Sequence, residues 1–292
     1  TPDPRTRRAF LLGALASVAT ATAATAVPQA ALAQGRRASR VKREPVPADP
    51  FATGALAFAV APPAEWTSAV ARLVRRATMG IGDGELSAAK AMGYQVWLQS
   101  QLDHTRIDNT AVEAQVAALW PQLSQTGDTL FQLDQGTVQT ILQSQWTFRA
   151  VLSPRQLYER MVEFWSDHFN IEIGKVGYLK IVDDREVIRK YALGKFSDLV
   201  KASAKSPAML AYLDQTVSRV GAPNQNYARE LLELHTLGVD GGYSQDDVAE
   251  LSRVLTGWTI QGRGIFTFNA ALHDWGQKVV MGVTIPAGSP SL

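Results

Sequence analysis

Three short segments of the chain carry residues of catalytic or ligand-binding types. The first is 154–170, where His168 lies seven residues after Met161 and so within about 20° of it on a helical wheel. A histidine on an apolar helix face is either a core residue with a bonded ring or a ligand that points into a pocket, and the core role is the commoner. Glu163 and Asp167, four residues apart on another side of this helix, are expected to face water.

The second segment is a stripe of polar residues on a predicted helix. Asn226, Arg229, Glu230 and Glu233 share one face at offsets of 0, 3, 4 and 7 residues. The two glutamates are adjacent there and suit either one hard cation or an ion pair with Arg229. A stripe without lysine is typical of a buried polar network, and a solvated face with an Arg–Glu pair is the equally favoured alternative. His235 falls two residues after Glu233, so the pattern is not the Glu-x-x-His of di-iron bundles.

The third segment pairs His273 with Asp274 in a predicted turn before a strand-like run. Adjacent histidine and aspartate supply a metal ligand, an acid–base pair or turn hydrogen bonds, and turn hydrogen bonds are the commonest case. Whether His168, the Glu230/Glu233 pair and His273 converge in space depends on the elements that position them.

The composition narrows the chemistry open to these residues. The chain has 292 residues, no cysteine and four histidines. Without cysteine it has no disulfide, iron–sulfur cluster, thiolate zinc site, c-type haem attachment or cysteine nucleophile. A hydrophobic fraction of 46% and a charged fraction of 19% predict a globular protein with a substantial core.

The first 33 residues have the character of an export signal. Arg7 and Arg8 directly precede a weakly apolar run, and Ala31-Leu32-Ala33 supplies the small-x-small pattern of a cleavage site. This arrangement resembles a twin-arginine signal peptide and predicts export of the folded protein to the periplasm or the exterior by the twin-arginine translocase. An uncleaved anchor is the less favoured alternative, so we expect no stable membrane span after cleavage. Proteins exported by this route often bind a metal or organic cofactor before export.

Charge varies along the chain. Removal of residues 1–33 lowers the net charge from +2 to 0, and the proline- and arginine-rich stretch 34–63 predicts a solvated linker. The chain from Pro50 onward carries a net charge of about −3, which argues against nucleic-acid binding through a basic face. We therefore predict a signal peptide at 1–33, a linker at 34–63 and a helical domain at 64–292.

The remaining chain shows mainly helical periodicity. Helical patterns cover 65–76, 84–92, 94–102, 110–119, 129–152, 154–170, 184–193, 196–204, 208–213, 226–237 and 245–255. Strand patterns cover 258–260, 265–268 and 278–281. There is no βαβ alternation, dinucleotide fingerprint, P-loop or nucleophile elbow. The predicted fold is mostly α, a multi-helix globular domain with a few short strands near its C-terminal end.

Several motifs, taken in chain order, resemble the bacterial DUF1800 family. They lie at 75–80, 164–169, 207–210, 212–214, 226–231, 236–238, 243–248, 255–258 and 273–278. The resemblance spans about residues 66–283. It implies a largely helical exported protein, often encoded beside a second exported family of alkaline-phosphatase-like type, DUF1501. It implies no reaction, because the family has no established activity.

Two features depart from the family pattern. Ser166 and Asp167 stand where the family commonly has His-Asn, so only His168 remains of a His–Asn–His helix. Family members usually extend well beyond 292 residues, and this chain ends in a loop-like stretch at 286–292. We therefore expect a domain that is truncated at its C-terminus.

Two functional hypotheses follow. The first is an exported metal- or cofactor-dependent enzyme with a pocket lined by His168, Asn226, Arg229, Glu230, Glu233, His273 and Asp274. In its metal form, His168, Glu230 and Glu233 bind a hard divalent ion, and Asn226 contacts the cofactor. In its metal-free form, Glu230 or His273 is the general base and Arg229 clamps an anion. The second, favoured because no specific catalytic signature is present, is a periplasmic binding or assembly partner of a DUF1501-type protein, with the same polar residues forming a structural network.

Overall fold

The structure, a computed structural model, describes residues 68–80 and 83–290 of the chain. These residues form thirteen α-helices: α1 (Ala69–Ala77), α2 (Asp83–Met92), α3 (Tyr94–Leu102), α4 (Thr110–Leu119), α5 (Gly127–Leu130), α6 (Gln135–Leu152), α7 (Gln156–His168), α8 (Ile173–Val176), α9 (Leu179–Asp183), α10 (Phe196–Ala204), α11 (Pro207–Tyr212), α12 (Gln225–Glu233) and α13 (Gln245–Val254). A π-helical segment, Asp184–Arg189, continues α9 directly. Short 3-10 turns lie at His104–Arg106, Pro121–Ser124, Gln215–Val217 and Ala270–Leu272.

Two antiparallel hairpins complete the described part. The first pairs β1 (Trp258–Gln261) with β2 (Ile265–Phe268), and the second pairs β3 (Lys278–Val280) with β4 (Val283–Ile285). The mostly α fold with short strands near its C-terminal end, predicted from the sequence, is confirmed.

Most helix boundaries predicted from periodicity lie within two residues of the observed ones. The predicted helix 184–193 instead begins at Leu179 and is π-helical from Asp184 to Arg189. Two further exceptions have local causes. The predicted helix 129–152 is two helices, because the Asp134 carboxylate accepts the Thr137 N–H at 2.9 Å and so caps a new helix. The predicted helix 226–237 ends at Glu233, after which the His235 N–H bonds five residues back, to the Glu230 carbonyl oxygen at 3.0 Å.

Three clusters of buried apolar side chains hold the helices together. The largest joins α7–α13 and β1 around side chains that include Val162, Leu199, Met209, Leu210, Tyr227 and Val248. A second cluster packs α1, α2 and α3 together, and a third packs α6 against α9. Each fully buried large apolar side chain contributes about 1.5–3 kcal/mol, so these contacts fix the positions of α7 and α12.

The buried side of α7 differs from the face that periodicity predicts. The predicted apolar face consists of Leu157, Met161, Phe164, Trp165 and His168, and it is at most half-buried. The buried residues of α7 are Gln156, Glu159 and Val162. Two polar side chains therefore occupy core positions, which requires hydrogen-bond or ionic partners for both.

The C-terminal hairpin is held against α13 by side-chain acceptors. Ser244 caps α13 in a capping box with Asp247, in which each side chain bonds the backbone of the other residue. The Val279 N–H donates to Glu250 Oε2 at 3.0 Å, and the Met281 N–H donates to Asp247 Oδ1 at 2.5 Å. Acidic side chains of α13 thus accept hydrogen bonds from the backbone of the hairpin.

The predicted signal peptide (1–33) and linker (34–63) lie outside the described residues. In the part of the chain that the structure describes, no helix combines the length and the apolar character needed to cross a bilayer.

Candidate functional site

The His168 ring lies at the C-terminal end of α7 and is hydrogen-bonded. Its Nε2 is 3.1 Å from the carbonyl oxygen of His235, which follows α12. Four aromatic rings contact it: Phe164, Trp165, Phe169 and Phe196. His168 therefore has the bonded ring expected of a core histidine, although it is only half-buried.

His235 is a second histidine of this cluster, which the sequence analysis did not select. Its ring is buried and lies 5.2 Å from the Phe169 ring and 6.4 Å from the His168 ring. Burial, with a smaller contribution from His168, lowers the pKa of His235 to about 4. The ring is therefore neutral at neutral pH. The wide turn after α12, in which the His235 N–H bonds the Glu230 carbonyl oxygen, holds His235 in this buried position.

Exposed apolar side chains surround the histidine cluster. Phe164 packs edge-on against the Trp165 ring at 4.8 Å, and Phe196 stacks on the same ring at 5.5 Å. Both phenylalanines are exposed, and so is Leu234, which directly precedes His235. We call Phe164, Phe196 and Leu234 the apolar patch. Exposed apolar groups that cluster in this way mark interaction surfaces.

The polar stripe on α12 is partly exposed, and its side chains bond residues near the start of α13. Arg229 Nη2 donates to Gln245 Oε1 at 2.6 Å. The Tyr243 hydroxyl donates to Glu233 Oε2 at 3.4 Å. Asn226 is exposed in the first turn of the helix. The stripe is thus neither a fully buried network nor a simple Arg–Glu pair.

Glu230 has a raised carboxyl pKa, which is one property of a proton-transfer group. Partial burial raises the pKa of its carboxyl group, the adjacent Glu233 raises it further, and Arg229 partly offsets both. A raised carboxyl pKa is frequent at catalytic sites. The sequence interpretation of two neighbouring glutamates therefore agrees with their positions on the helix.

His273 is buried in the loop after β2. Its Nδ1 lies 2.8 Å from the Thr256 carbonyl oxygen, and its ring contacts those of Phe268 and Trp275 at 5.2 and 4.8 Å. The other ring nitrogen, Nε2, has no hydrogen-bond partner within the described residues. Gly257, at a φ of +83°, allows this packing, because a Cβ there would lie 3.3 Å from the His273 Cβ.

Asp274 belongs to an ion-pair cluster with Glu250 and Arg253, which we call the Arg253 cluster. Arg253 donates from Nε and Nη2 to the two Asp274 oxygens at 2.8 and 3.2 Å, and from Nη1 to Glu250 at 2.7 Å. The hydrogen bonds from Arg253 hold the pKa of Asp274 below its ordinary value. The buried Lys278 ammonium donates to the carbonyl oxygens of Asp274 and Gly276. These contacts fasten a turn, which is the commonest role predicted for the His-Asp pair.

The hydrogen bonds and ring contacts of the two candidate histidines fall into separate sets. The contacts of His168 are with residues 164, 165, 169, 196 and 235, whereas those of His273 are with 256, 268 and 275. In residues 68–80 and 83–290, no group of three or more histidine, aspartate or glutamate side chains is arranged to hold a metal ion. A metal bound by His168, Glu230 and Glu233 stays a prediction that this arrangement does not favour.

A charged cluster that the sequence analysis missed lies between α6, α7 and the π-helical segment. We call it the Arg189 network, and it consists of Glu113, Gln145, Arg149, Glu159, Asp184 and Arg189. Arg189 donates from Nε to Asp184 at 3.1 Å and from Nη1 to Glu159 at 3.0 Å. Arg149 bonds Gln145 at 2.9 Å and pairs with Glu113. The network thus provides the partner that the buried Glu159 requires.

The central ions of this network are largely removed from water. The side chains of Glu159 and Asp184 are 4% exposed and that of Arg189 is 12% exposed. Burial lowers the pKa of Arg189, but Asp184 and Glu159 outweigh this effect and leave it above its ordinary value. Glu159 and Arg189 also line a cavity of about 290 Å³ between α6 and α7. A perturbed, buried ion pair on a cavity wall is typical of a binding site.

Comparison with known proteins places these elements in one family. Residues 72–291 match the sequence profile of a family described as "Protein of unknown function (DUF1800)". No curated protein and no solved structure is significantly similar to the chain. The match includes the histidine cluster, the Arg189 network, the α12 stripe and the Arg253 cluster. The chain belongs to the DUF1800 family.

Proposed function

We propose that this DUF1800 protein is an exported binding or assembly protein, that it docks through the apolar patch, and that its partner is a DUF1501-type exported protein. The observation that carries the proposal is the exposure of Phe164, Phe196 and Leu234 around the bonded His168. The twin-arginine signal inferred from residues 1–33 supports export of this chain, and the proposal requires its partner to be exported too.

The composition of the patch suits a protein interface. Aromatic side chains are enriched at interfaces and supply much of their binding energy. Trp165 lies between Phe164 and Phe196, and its indole N–H donates to the Ala192 carbonyl oxygen at 2.9 Å, which fixes the ring. A patch of fixed rings loses little side-chain entropy when a partner covers it.

The charges beside the patch define the partner's surface. On α12, which Leu234 directly follows, the partly exposed charged side chains are two carboxylates and one arginine: Glu230 and Glu233 against Arg229. An excess of carboxylates favours a partner whose apolar contact is bordered by lysine and arginine. We therefore expect a basic rim around the matching apolar surface of the DUF1501-type protein.

The alternative of a cofactor-dependent enzyme has less support. Arg229 is bonded to Gln245, Asp274 to Arg253, and His273 to Thr256. A general base and an anion clamp need free donors or acceptors that face a common substrate. The separation of these residues into two clusters therefore favours a structural role for them.

Direct association of the two purified mature proteins tests the proposal. Isothermal titration calorimetry should detect binding, and Leu234→Asp should weaken it by about tenfold or more, because a charge would be buried in an apolar contact. Leu119→Asp is the matched control, since Leu119 ends α4 and is 51% exposed against 56% for Leu234. Wild-type proteins that do not associate would contradict the proposal, and so would association that both variants leave unchanged.

Export is tested separately. Replacement of Arg7 and Arg8 together by lysine should retain the precursor in the cytoplasm, because the twin-arginine route depends on that pair. Fractionation followed by immunoblotting measures the distribution. An exported lysine variant would indicate another route.

A further inference from the structure

The cavity beside the Arg189 network is a cleft between two helices. Its wall consists of Met79, residues 146, 147 and 150 of α6, residues 159, 162, 163, 166 and 167 of α7, and Arg189. Its volume of about 290 Å³ is at the small end of the range for small-molecule sites. A second cavity of about 410 Å³ shares Trp146, Ser166 and Asp167 with it, so the cleft continues along α7.

Glu159 gives this cleft unused acceptor capacity. Both of its carboxylate oxygens receive a hydrogen bond from the same atom, Arg189 Nη1, at 3.3 and 3.0 Å. A carboxylate offers about four acceptor positions. Because Glu159 lines the cavity, a donor placed in the cleft can use the positions that Arg189 leaves open.

Arg189 has little capacity left for a ligand. Its Nε bonds Asp184, its Nη1 bonds Glu159, and its Nη2 lies 3.5 Å from Gln145 Oε1. A ligand that needs an arginine clamp would have to displace one of these partners from a buried site. The cleft is therefore poorly suited to a carboxylate or phosphate ligand.

The charge balance favours a cation. The residues that line the cleft carry three carboxylates, Glu159, Glu163 and Asp167, and one guanidinium group, Arg189. At the rim, Glu163 pairs with Arg160. A protonated amine beside Glu159 would compensate the excess charge and supply up to three donors.

The remaining wall is apolar and well fixed. Met79, Trp146, Ala150 and Val162 contribute apolar surface to the cleft. The indole N–H of Trp146 donates to Asp184 Oδ1 at 2.8 Å, so the ring is held by the same network. An aromatic wall next to a carboxylate suits an organic cation with an apolar body, since the ring face also attracts positive charge.

The backbone supports the same assignment. Asp184 and Arg189 stand at the two ends of the π-helical segment, which brings both side chains into the network. Single π-helical turns in α-helices are frequent at functional sites. A network that served only to join helices would not require a cavity against Glu159.

We propose that this cleft binds a small organic amine, with the protonated nitrogen on Glu159 and the apolar body against Trp146. The site is separate from the apolar patch, because residues 159, 163 and 166 lie on a different side of α7 from Phe164 and His168.

Three probes of equal size but different charge test this proposal. Phenethylamine, 2-phenylethanol and phenylacetate share one body and are titrated into the mature protein by calorimetry. We expect the amine to bind about tenfold or more tightly than the alcohol, and phenylacetate to give no saturable heat. Equal affinities, or binding of phenylacetate alone, would overturn the proposal.

Variants then locate the bound amine. Glu159→Gln should lower amine affinity by about tenfold while preserving the shape of the wall. Because that change touches a buried ion pair, Ala150→Phe provides a second test that fills the cleft without altering any charge. Glu186→Gln is the control, since Glu186 is exposed on the same π-helical segment and pairs with Arg185. Amine binding that survives Ala150→Phe would place the ligand elsewhere, and Leu234→Asp should leave amine binding unchanged.

Discussion

The Arg189 network and the Arg253 cluster each place an arginine between two carboxylates, but at different depths. The side chain of Arg189 is 12% exposed and its carboxylate partners are 4% exposed, whereas Arg253 is 29% exposed and Asp274 is 17% exposed. The first cluster joins helices that are far apart in sequence and lines a cavity. The second fastens a turn to the neighbouring helix α13.

The difference in burial shows that ion pairs of the same residue types have different sensitivities to substitution. Ions in the interior are costly unless every partner is present, so the Arg189 network is sensitive to the loss of any one group. Ion pairs nearer the surface can recover hydration when a partner is lost, so the Arg253 cluster tolerates change better. Only the first arrangement retains a desolvated charge that a ligand can use.

The largest expected effect comes from the interior. Asp184→Ala should lower the free energy of unfolding by about 3–5 kcal/mol, because it removes one of the two carboxylates that pair with Arg189 and leaves the Arg189 Nε–H and the Trp146 N–H without an acceptor in a buried site. Urea denaturation of both proteins measures the difference. Asp184→Asn, which keeps one acceptor oxygen, should cost less, and a loss below about 1 kcal/mol for the alanine variant would show that water reaches the network.

The second expected effect is a pH dependence of the free energy of unfolding, which arises from His235 and from neither arginine cluster. The pKa of His235 is about 4 in the folded protein, against about 6.5 in an unfolded chain, so the unfolded state binds the proton more readily. The contribution of His235 to the free energy of unfolding should be fully present above about pH 6.5. The free energy of unfolding should fall by up to about 3 kcal/mol as the pH drops toward 4. Urea unfolding across this range measures it, and an NMR titration of the His235 ring near pH 6.5 would contradict it.

A smaller loss of unfolding free energy is expected for substitutions in the Arg253 cluster. Asp274→Asn should cost about 1 kcal/mol near neutral pH, because Arg253 keeps Glu250 as a partner and is partly hydrated. The lowered pKa of Asp274 contributes stability above the ordinary carboxyl value and loses it as the pH falls through the lowered value. The difference between wild type and variant should therefore shrink in acid, and a difference that is constant from pH 7 to pH 2 would argue against this ion pair.

The smallest expected change in stability is at the most exposed of these ion pairs. Arg160→Ala removes an exposed pair with Glu163 and should change stability by about 0.5 kcal/mol or less. Thermal denaturation of the variant beside Asp274→Asn gives the comparison. A larger effect would mean that Glu163 at the rim of the cleft depends on this arginine.

Local signals explain why so much of the secondary structure was predictable. The helix that begins at Gln245 and the strands near residues 258–268 depend on signals in neighbouring residues, and both were predicted. The break at Asp134 was missed because the apolar period continues on both sides of it.

The binding cleft was not predictable, because its partners come from distant parts of the chain. Glu159 is thirty residues from Arg189 and cannot be recognised as buried until the π-helical segment is folded against α7. The apolar period on α7 pointed to Phe164, which is exposed, because the core selects Gln156 and Glu159 through their bonds rather than their hydrophobicity. The sequence predicted that His168 lies on a helix. Its hydrogen bond to the His235 carbonyl oxygen depends on the turn after α12 and could not be predicted.

The contacts between α13 and the last hairpin also protect the protein against self-association. A strand at the edge of a sheet presents unpaired N–H groups on which a strand of another molecule can assemble, and this is a common start of aggregation. The N–H groups of Val279 and Met281 are already occupied by Glu250 and Asp247, so an incoming strand finds those donors blocked and meets negative charge. The β3 side of this two-stranded hairpin is thereby made a poorer template.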